Sequence, residues 1–132
     1  MEGQLHIRLD LRECPRVEDL KSRAPHIAQT ILGVARMAGA TVRDHQFRPF
    51  EPDEGYTLYV VIEESHFIIQ TWPECAFVNI DIMVCNFTRD NTQVARQFAE
   101  ELQTFFGGNV DFQDGTMRGP WDELRKNSQK TQ

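Results

Sequence analysis

Residues 63–74 read EESHFIIQTWPE. Glu64, Ser65 and His66 place a carboxylate, a hydroxyl and an imidazole at the head of a run that is otherwise largely apolar. Buried polar groups cost stability unless each finds a hydrogen-bond partner, so such a triplet marks either a turn or a site. The run closes on Thr71-Trp72-Pro73-Glu74, and a cysteine, Cys85, follows on the next β-rich stretch. Taken singly these residues have plain readings. Ser65 is an ordinary turn serine, Cys85 a buried apolar thiol, Phe50 and Trp72 core aromatics, and Glu74 a solvated turn residue.

Metal chemistry finds no support in the spacing. His6, His26, His45 and His66 form no HxxxH or HExxH pattern, and no cysteine stands at zinc-ligand distance from them, so no metal is expected. Cys14, Cys75 and Cys85 are an odd set without a CxxC, which predicts free thiols rather than a disulfide framework. A net charge of -6 leaves little attraction for nucleic acid or anionic lipid. No window is long and apolar enough for a transmembrane helix, and the start MEGQLHIRLD lacks a secretory pattern, so a cytoplasmic protein that does not span a membrane is expected.

The elements that must position these residues follow from periodicity. In a chain of 132 residues one domain is expected, over residues 1–121. Gln4 to Leu11 alternates Leu5, Ile7, Leu9 and Leu11 with polar neighbours, the pattern of a strand with one buried face. Ile27, Ile31, Val34, Ala35 and Ala38 recur at helical spacing up to Gly39. Thr41–Phe47 reads as a second strand, and PFEPDEG at 49–55 as a loop. Tyr56–Glu63, Ser65–Trp72 and Ala76–Val84 form a meander of Val-, Ile- and Phe-rich runs. A second helix capped by Asp90 carries Val94, Phe98, Leu102 and Phe106 and stops at Gly107-Gly108, and Asn109–Gln113 gives a last short strand. From Asp122 onward DELRKNSQKTQ, over residues 122–132, is expected to be disordered. The order implies an α+β two-layer sandwich, a mostly antiparallel sheet with two helices on one face. In the run from Ala76 the second parity mixes Phe77 and Met83 with Asn79 and Asp81, which suggests a partner or a site on the other face.

EESHFIIQTWPE followed by AFVNIDIMVCN resembles the bacterial and archaeal S-adenosylmethionine decarboxylase proenzymes, whose hallmark is ESH, a strand, HTWPE, and a cysteine on the next strand. LHIRLDL, GATV at 39–42, FRPFEP at 47–52 and DGTMRG at 114–119 extend the likeness over most of the chain. The resemblance implies that Ser65 attacks the Glu64 carbonyl and that elimination and hydrolysis then leave a pyruvoyl group at residue 65, the cofactor that forms a Schiff base with S-adenosylmethionine. The cut falls between Glu64 and Ser65. It further implies that Cys85 returns a proton to the substrate, that Thr57 stands where a serine assists processing, that Phe50 stacks on the adenine, and that Glu74 holds the ribose. Protomers of this kind are implied to pair sheet to sheet into a homodimer, and the product to feed spermidine synthesis.

Besides Thr57 and a small departure at Arg48, the departure that bears most on processing is at residue 70. Five positions after the serine the family has a histidine assigned to processing, and this chain has Gln70, which hydrogen-bonds but does not titrate near neutral pH. Two other readings therefore stand beside the first. One is a pyruvoyl decarboxylase acting on another amino acid, such as arginine or ornithine. The other is an unprocessed, non-catalytic partner protein.

Overall fold

The alternation of Leu5, Ile7, Leu9 and Leu11 sets the frame of the computed structural model, which describes residues 3–52, 54–119 and 121–130. Strand β1 (Gln4–Arg12) sends those four side chains into the core and leaves Gln4, His6, Arg8 and Asp10 on the opposite face. Helix α1 (Ile27–Met37) buries Ile27, Ile31, Leu32 and Ala35. Strands β2 (Val42–Pro49), β3 (Tyr56–Ile62), β4 (Ser65–Trp72) and β5 (Phe77–Cys85) follow as an antiparallel meander. Helix α2 (Thr92–Phe106) then crosses back, and β6 (Asn109–Arg118) pairs with β1. Across the sheet the order is β2-β3-β4-β5-β1-β6, with β1 held between β5 and β6.

Helices α1 and α2 cover one face of this sheet, which makes the two-layer α+β sandwich expected from the sequence. The apolar stripe of α2, Ala95, Phe98, Ala99, Leu102 and Phe106, meets the inward residues of β1, β4 and β5. Phe98 sets its ring edge-on to Phe67 at 4.7 Å, the geometry that aromatic quadrupoles favour. Gly107 ends the helix at φ +71°, a left-handed turn that glycine takes without steric cost.

Three boundaries differ from the sequence reading. The last strand continues past Gln113 to Arg118, because Asp114, Gly115, Thr116 and Met117 all find partners on β1. Asp90 does not occupy the cap position itself. Asn91 does, while the Asp90 carboxylate accepts from the Thr92 N–H at 2.9 Å. Of residues 122–132, expected to be disordered, 122–130 fall in a helix, α3 (Trp121–Lys130), and 131–132 lie outside the described residues. Glu, Leu, Arg, Lys and Gln are strong helix formers, and Arg125 places its guanidinium 4.6 Å from the centre of the Phe87 ring.

The face of the sheet away from the helices is part polar and part apolar. Tyr59 and Val61 are 43% and 51% exposed, with Ile68, Trp72, Phe77 and Met83 half-buried beside them. Single-sided coverage leaves this surface open in one chain.

Candidate active site

Strands β3 and β4 are joined by only Glu63 and Glu64, with Ile62 paired directly to Ser65. So short a connection forces left-handed backbone, and it falls on Glu64 at φ +59°. A side chain with a Cβ is strained in that conformation, and strain of this kind concentrates at functional positions. Ser65 therefore begins β4 beside a strained peptide. Its Oγ accepts a hydrogen bond from the Cys85 N–H at 2.9 Å, so the hydroxyl is fixed against the end of β5. Cys85 is 8% exposed and its thiol is free. Its carbonyl accepts from Asn91 Nδ2 at 2.8 Å, so both backbone groups of Cys85 are held.

A second group of candidate residues lies at the far end of the same strands. Thr57 on β3 and Gln70 on β4 are direct cross-strand partners on the open face. Thr57 is 1% exposed, and among the described residues its hydroxyl has no hydrogen-bond partner. Gln70 pairs in turn with Asn79 on β5, whose amide donates to Asp10 at 2.9 Å and whose carbonyl oxygen accepts from the Trp72 indole at 2.8 Å. Trp72, readable as a core aromatic, thus sits half-buried on the open face, tied to polar neighbours. Phe50 lies 5.5 Å from its ring. The loop that carries Phe50 closes on the Phe50 N–H donating to the Gly55 carbonyl at 2.7 Å. Any Cβ at Gly55 would stand 2.4 Å from the Thr71 carbonyl, so only glycine permits this approach. Glu74 is exposed in the turn after β4.

The seven candidates do not form one cluster in one chain. Glu64, Ser65 and Cys85 gather at one end of β4. Thr57, Gln70, Phe50 and Glu74 gather around the other, and five residues of extended strand separate Ser65 from Gln70 by about 16 Å. His66 follows Ser65 on the opposite face of β4, as strand alternation requires. Sequence reasoning missed the residues that brace the first group. Asn86 and Asn91, 2% and 8% exposed, join through the Asn91 N–H donating to Asn86 Oδ1 at 2.7 Å. Thr88, between them, donates to Glu64 Oε2 at 3.0 Å. The signal was the run NFTRDN after Cys85, where only Asp90 was read as structural. No group of three His, Cys, Asp or Glu side chains suited to a metal comes together among the described residues.

The family model described as S-adenosylmethionine decarboxylase matches residues 5–105. The chain belongs to the S-adenosylmethionine decarboxylase family. A proenzyme of that name from Bacillus anthracis is 32% identical over 111 residues, covering 84% of this chain and 83% of the relative. One from Pseudomonas aeruginosa is 38% identical over 76 residues, covering 58% of this chain and 47% of that one. The crystal structure of the adenosylmethionine decarboxylase from Aquifex aeolicus shares the fold, with a TM-score of 0.75 and 24% identity over 89% of this chain and 92% of that one. The stretch matched by the S-adenosylmethionine decarboxylase model holds every candidate from Phe50 to Cys85 and ends inside α2. Relatives named for a carboxy-lyase reaction place this chain in an enzyme family. No described helix is long and apolar enough to cross a membrane.

Proposed function

We propose that the chain is the self-processing precursor of a pyruvoyl-dependent S-adenosylmethionine decarboxylase, acting as a cytoplasmic homodimer in spermidine synthesis. The observation that carries this reading is the Ser65 hydroxyl, fixed 2.9 Å from the Cys85 N–H next to the left-handed Glu64. In the first step the Ser65 Oγ bonds to the Glu64 carbonyl carbon, the peptide bond to the residue 65 nitrogen breaks, and the hydroxyl proton ends on that nitrogen. Loss of the Ser65 α-proton then expels Glu64 as a new carboxylate terminus, and water releases ammonia from residue 65. The ketone left there, conjugated to an amide, supplies the electron sink that decarboxylation of an amine-bearing substrate needs.

The candidate residues at the two ends of β4 fit these demands. Cys85, whose backbone N–H holds the Ser65 hydroxyl, carries a free thiol that serves in this reading as the proton donor to the substrate carbon. Phe50 offers an aromatic face for adenine, and the exposed Glu74 carboxylate an acceptor for ribose hydroxyls. The far group, Thr57, Gln70, Phe50 and Glu74, reaches residue 65 only from a second copy. A two-fold pairing of open faces reverses the partner's β4, so its Gln70 end meets this chain's Ser65 end. Apolar Tyr59, Val61, Ile68 and Met83 on that face supply what such a pairing would bury. Three free cysteines agree with a reducing compartment.

Gln70 favours a second reading, a partner protein that keeps the fold and is never cut. Intact mass under denaturing conditions, on fresh and on long-incubated protein, separates the two. Fragments ending at Glu64 and starting with a blocked residue 65, together with carbon dioxide release from carboxyl-labelled S-adenosylmethionine, establish the first. Cleavage with release only from arginine or ornithine would move the substrate. A single uncut species overturns the enzymatic reading.

A further inference from the structure

Residues 86–91, between β5 and α2, contact the Glu64 side chain directly and Ser65 through Cys85. On the nucleophile's side, Asn91 Nδ2 holds the Cys85 carbonyl at 2.8 Å, and the Cys85 N–H holds Ser65 Oγ at 2.9 Å. On the carbonyl's side, the Thr88 hydroxyl donates to Glu64 Oε2 at 3.0 Å. The segment itself is anchored. Asn86 donates its N–H to the Gly3 carbonyl at 3.0 Å and its Nδ2 to Thr92 Oγ1 at 3.1 Å, and its Oδ1 accepts from the Asn91 N–H at 2.7 Å. Both asparagines are nine-tenths or more buried, so Thr88 projects from a fixed base although it is itself exposed.

We infer that Thr88 is a positioning residue for self-cleavage: by gripping the Glu64 side chain it keeps the Glu64 carbonyl in register with the Ser65 hydroxyl. The inference rests on the self-processing reading above. The two-residue turn sets Glu64 in left-handed backbone, but the residue is exposed and no packing fixes the orientation of its peptide within that turn, which the bond from Thr88 does. Rotation of that peptide would carry its carbonyl away from Oγ. Thr88 neither touches the reacting atoms nor takes a proton in the acyl shift, which only exchanges the Glu64 C–N bond for a C–O bond.

The test follows the first-order rate of self-cleavage by denaturing mass spectrometry in the full chain. Thr88→Val keeps the shape and removes the donor, and it slows cleavage between about twofold and tenfold, the loss of one exposed hydrogen bond. Thr88→Ser restores the rate. On a Ser65→Ala background, which cannot be cut, Thr88→Val leaves the melting temperature unchanged, which separates positioning from folding. A wild-type chain that cleaves while Thr88→Val cleaves equally fast, or a Thr88→Ser chain as slow as Thr88→Val, overturns the role of Thr88 alone. A wild-type chain that never cleaves overturns the self-processing reading and this inference with it.

Discussion

At the scale of single residues, the candidate site was legible in type but not in place. Ser65, Cys85, Thr57 and Gln70 stand out by kind and spacing, yet spacing along a chain does not say which side chains meet. The β4–β5 register joins Ser65 to Cys85 and leaves Gln70 about 16 Å away on the same strand. Asn86, Thr88 and Asn91 were invisible because asparagine and threonine ahead of a helix are ordinary loop residues until their partners are known. Two predictions belong here. Cys85→Ala removes a proton donor that cleavage does not use, so the chain is still cut while carbon dioxide release falls by about 10²- to 10⁴-fold. Equal loss of both activities would show that Cys85 supports the fold rather than the chemistry. Gln70→His puts a titrating group where the family resemblance implies one, and it raises the cleavage rate by about 10²-fold or more. That gain climbs with pH through about 6.5, where imidazole becomes a base, whereas the wild-type rate lacks this step. A flat comparison would remove Gln70 from processing.

Elements were the most legible scale, since period-2 and period-3.6 patterns report burial directly. Val78, Ile80, Ile82 and Val84 on one parity of β5 are all buried, and the mixed parity with Asn79 and Asp81 is the open face. β6 escaped full recognition because its outer residues are mostly exposed and Gly115 interrupts the pattern, so its length is set by pairing with β1. Helix α2 carries the link between core and site: Phe98 packs on Phe67 of β4, and the segment before the helix braces Cys85 and Glu64. Phe98→Ala opens a cavity between α2 and the sheet and costs about 3–5 kcal/mol, read as a lowered urea midpoint at constant slope. A loss under 1 kcal/mol would mean that the helix collapses freely onto the sheet. At the start of α2 the Thr92 N–H, then its hydroxyl, hold the Asp90 carboxyl below its usual range of about 3.8. A folded-state value below the unfolded one gives stability that is present above about pH 4 and is lost as pH falls through the folded value. Asp90→Ala therefore melts lower than wild type at pH 7, and the gap closes toward pH 2. A gap independent of pH would assign the loss to the turn rather than to the charge.

The whole molecule decides whether the two ends of β4 ever act together. In one chain they cannot, because a strand does not fold back on itself over five residues and the sheet pairing leaves no slack. In the proposed dimer, a second copy related by a two-fold axis would bring them together without any change of fold, and the buried Thr57 hydroxyl, unpartnered among the described residues, and the open apolar face are what such an assembly would use. Mixed dimers test this directly. Chains carrying Ser65→Ala with Gln70→His cannot be cut but present a base; wild-type chains can be cut but lack one. If the far end acts across the interface, wild-type chains cleave at the accelerated rate only when mixed with the double variant, and the fraction accelerated tracks the fraction of mixed dimers. If the histidine acts within its own chain, mixing changes nothing, and the wild-type chains keep their slow rate at every ratio. Val61→Asp, which places a charge on the open face, supplies the second arm. It yields a folded monomer by sedimentation that loses the acceleration while the Ser65 to Cys85 contact, formed within one chain, stays intact.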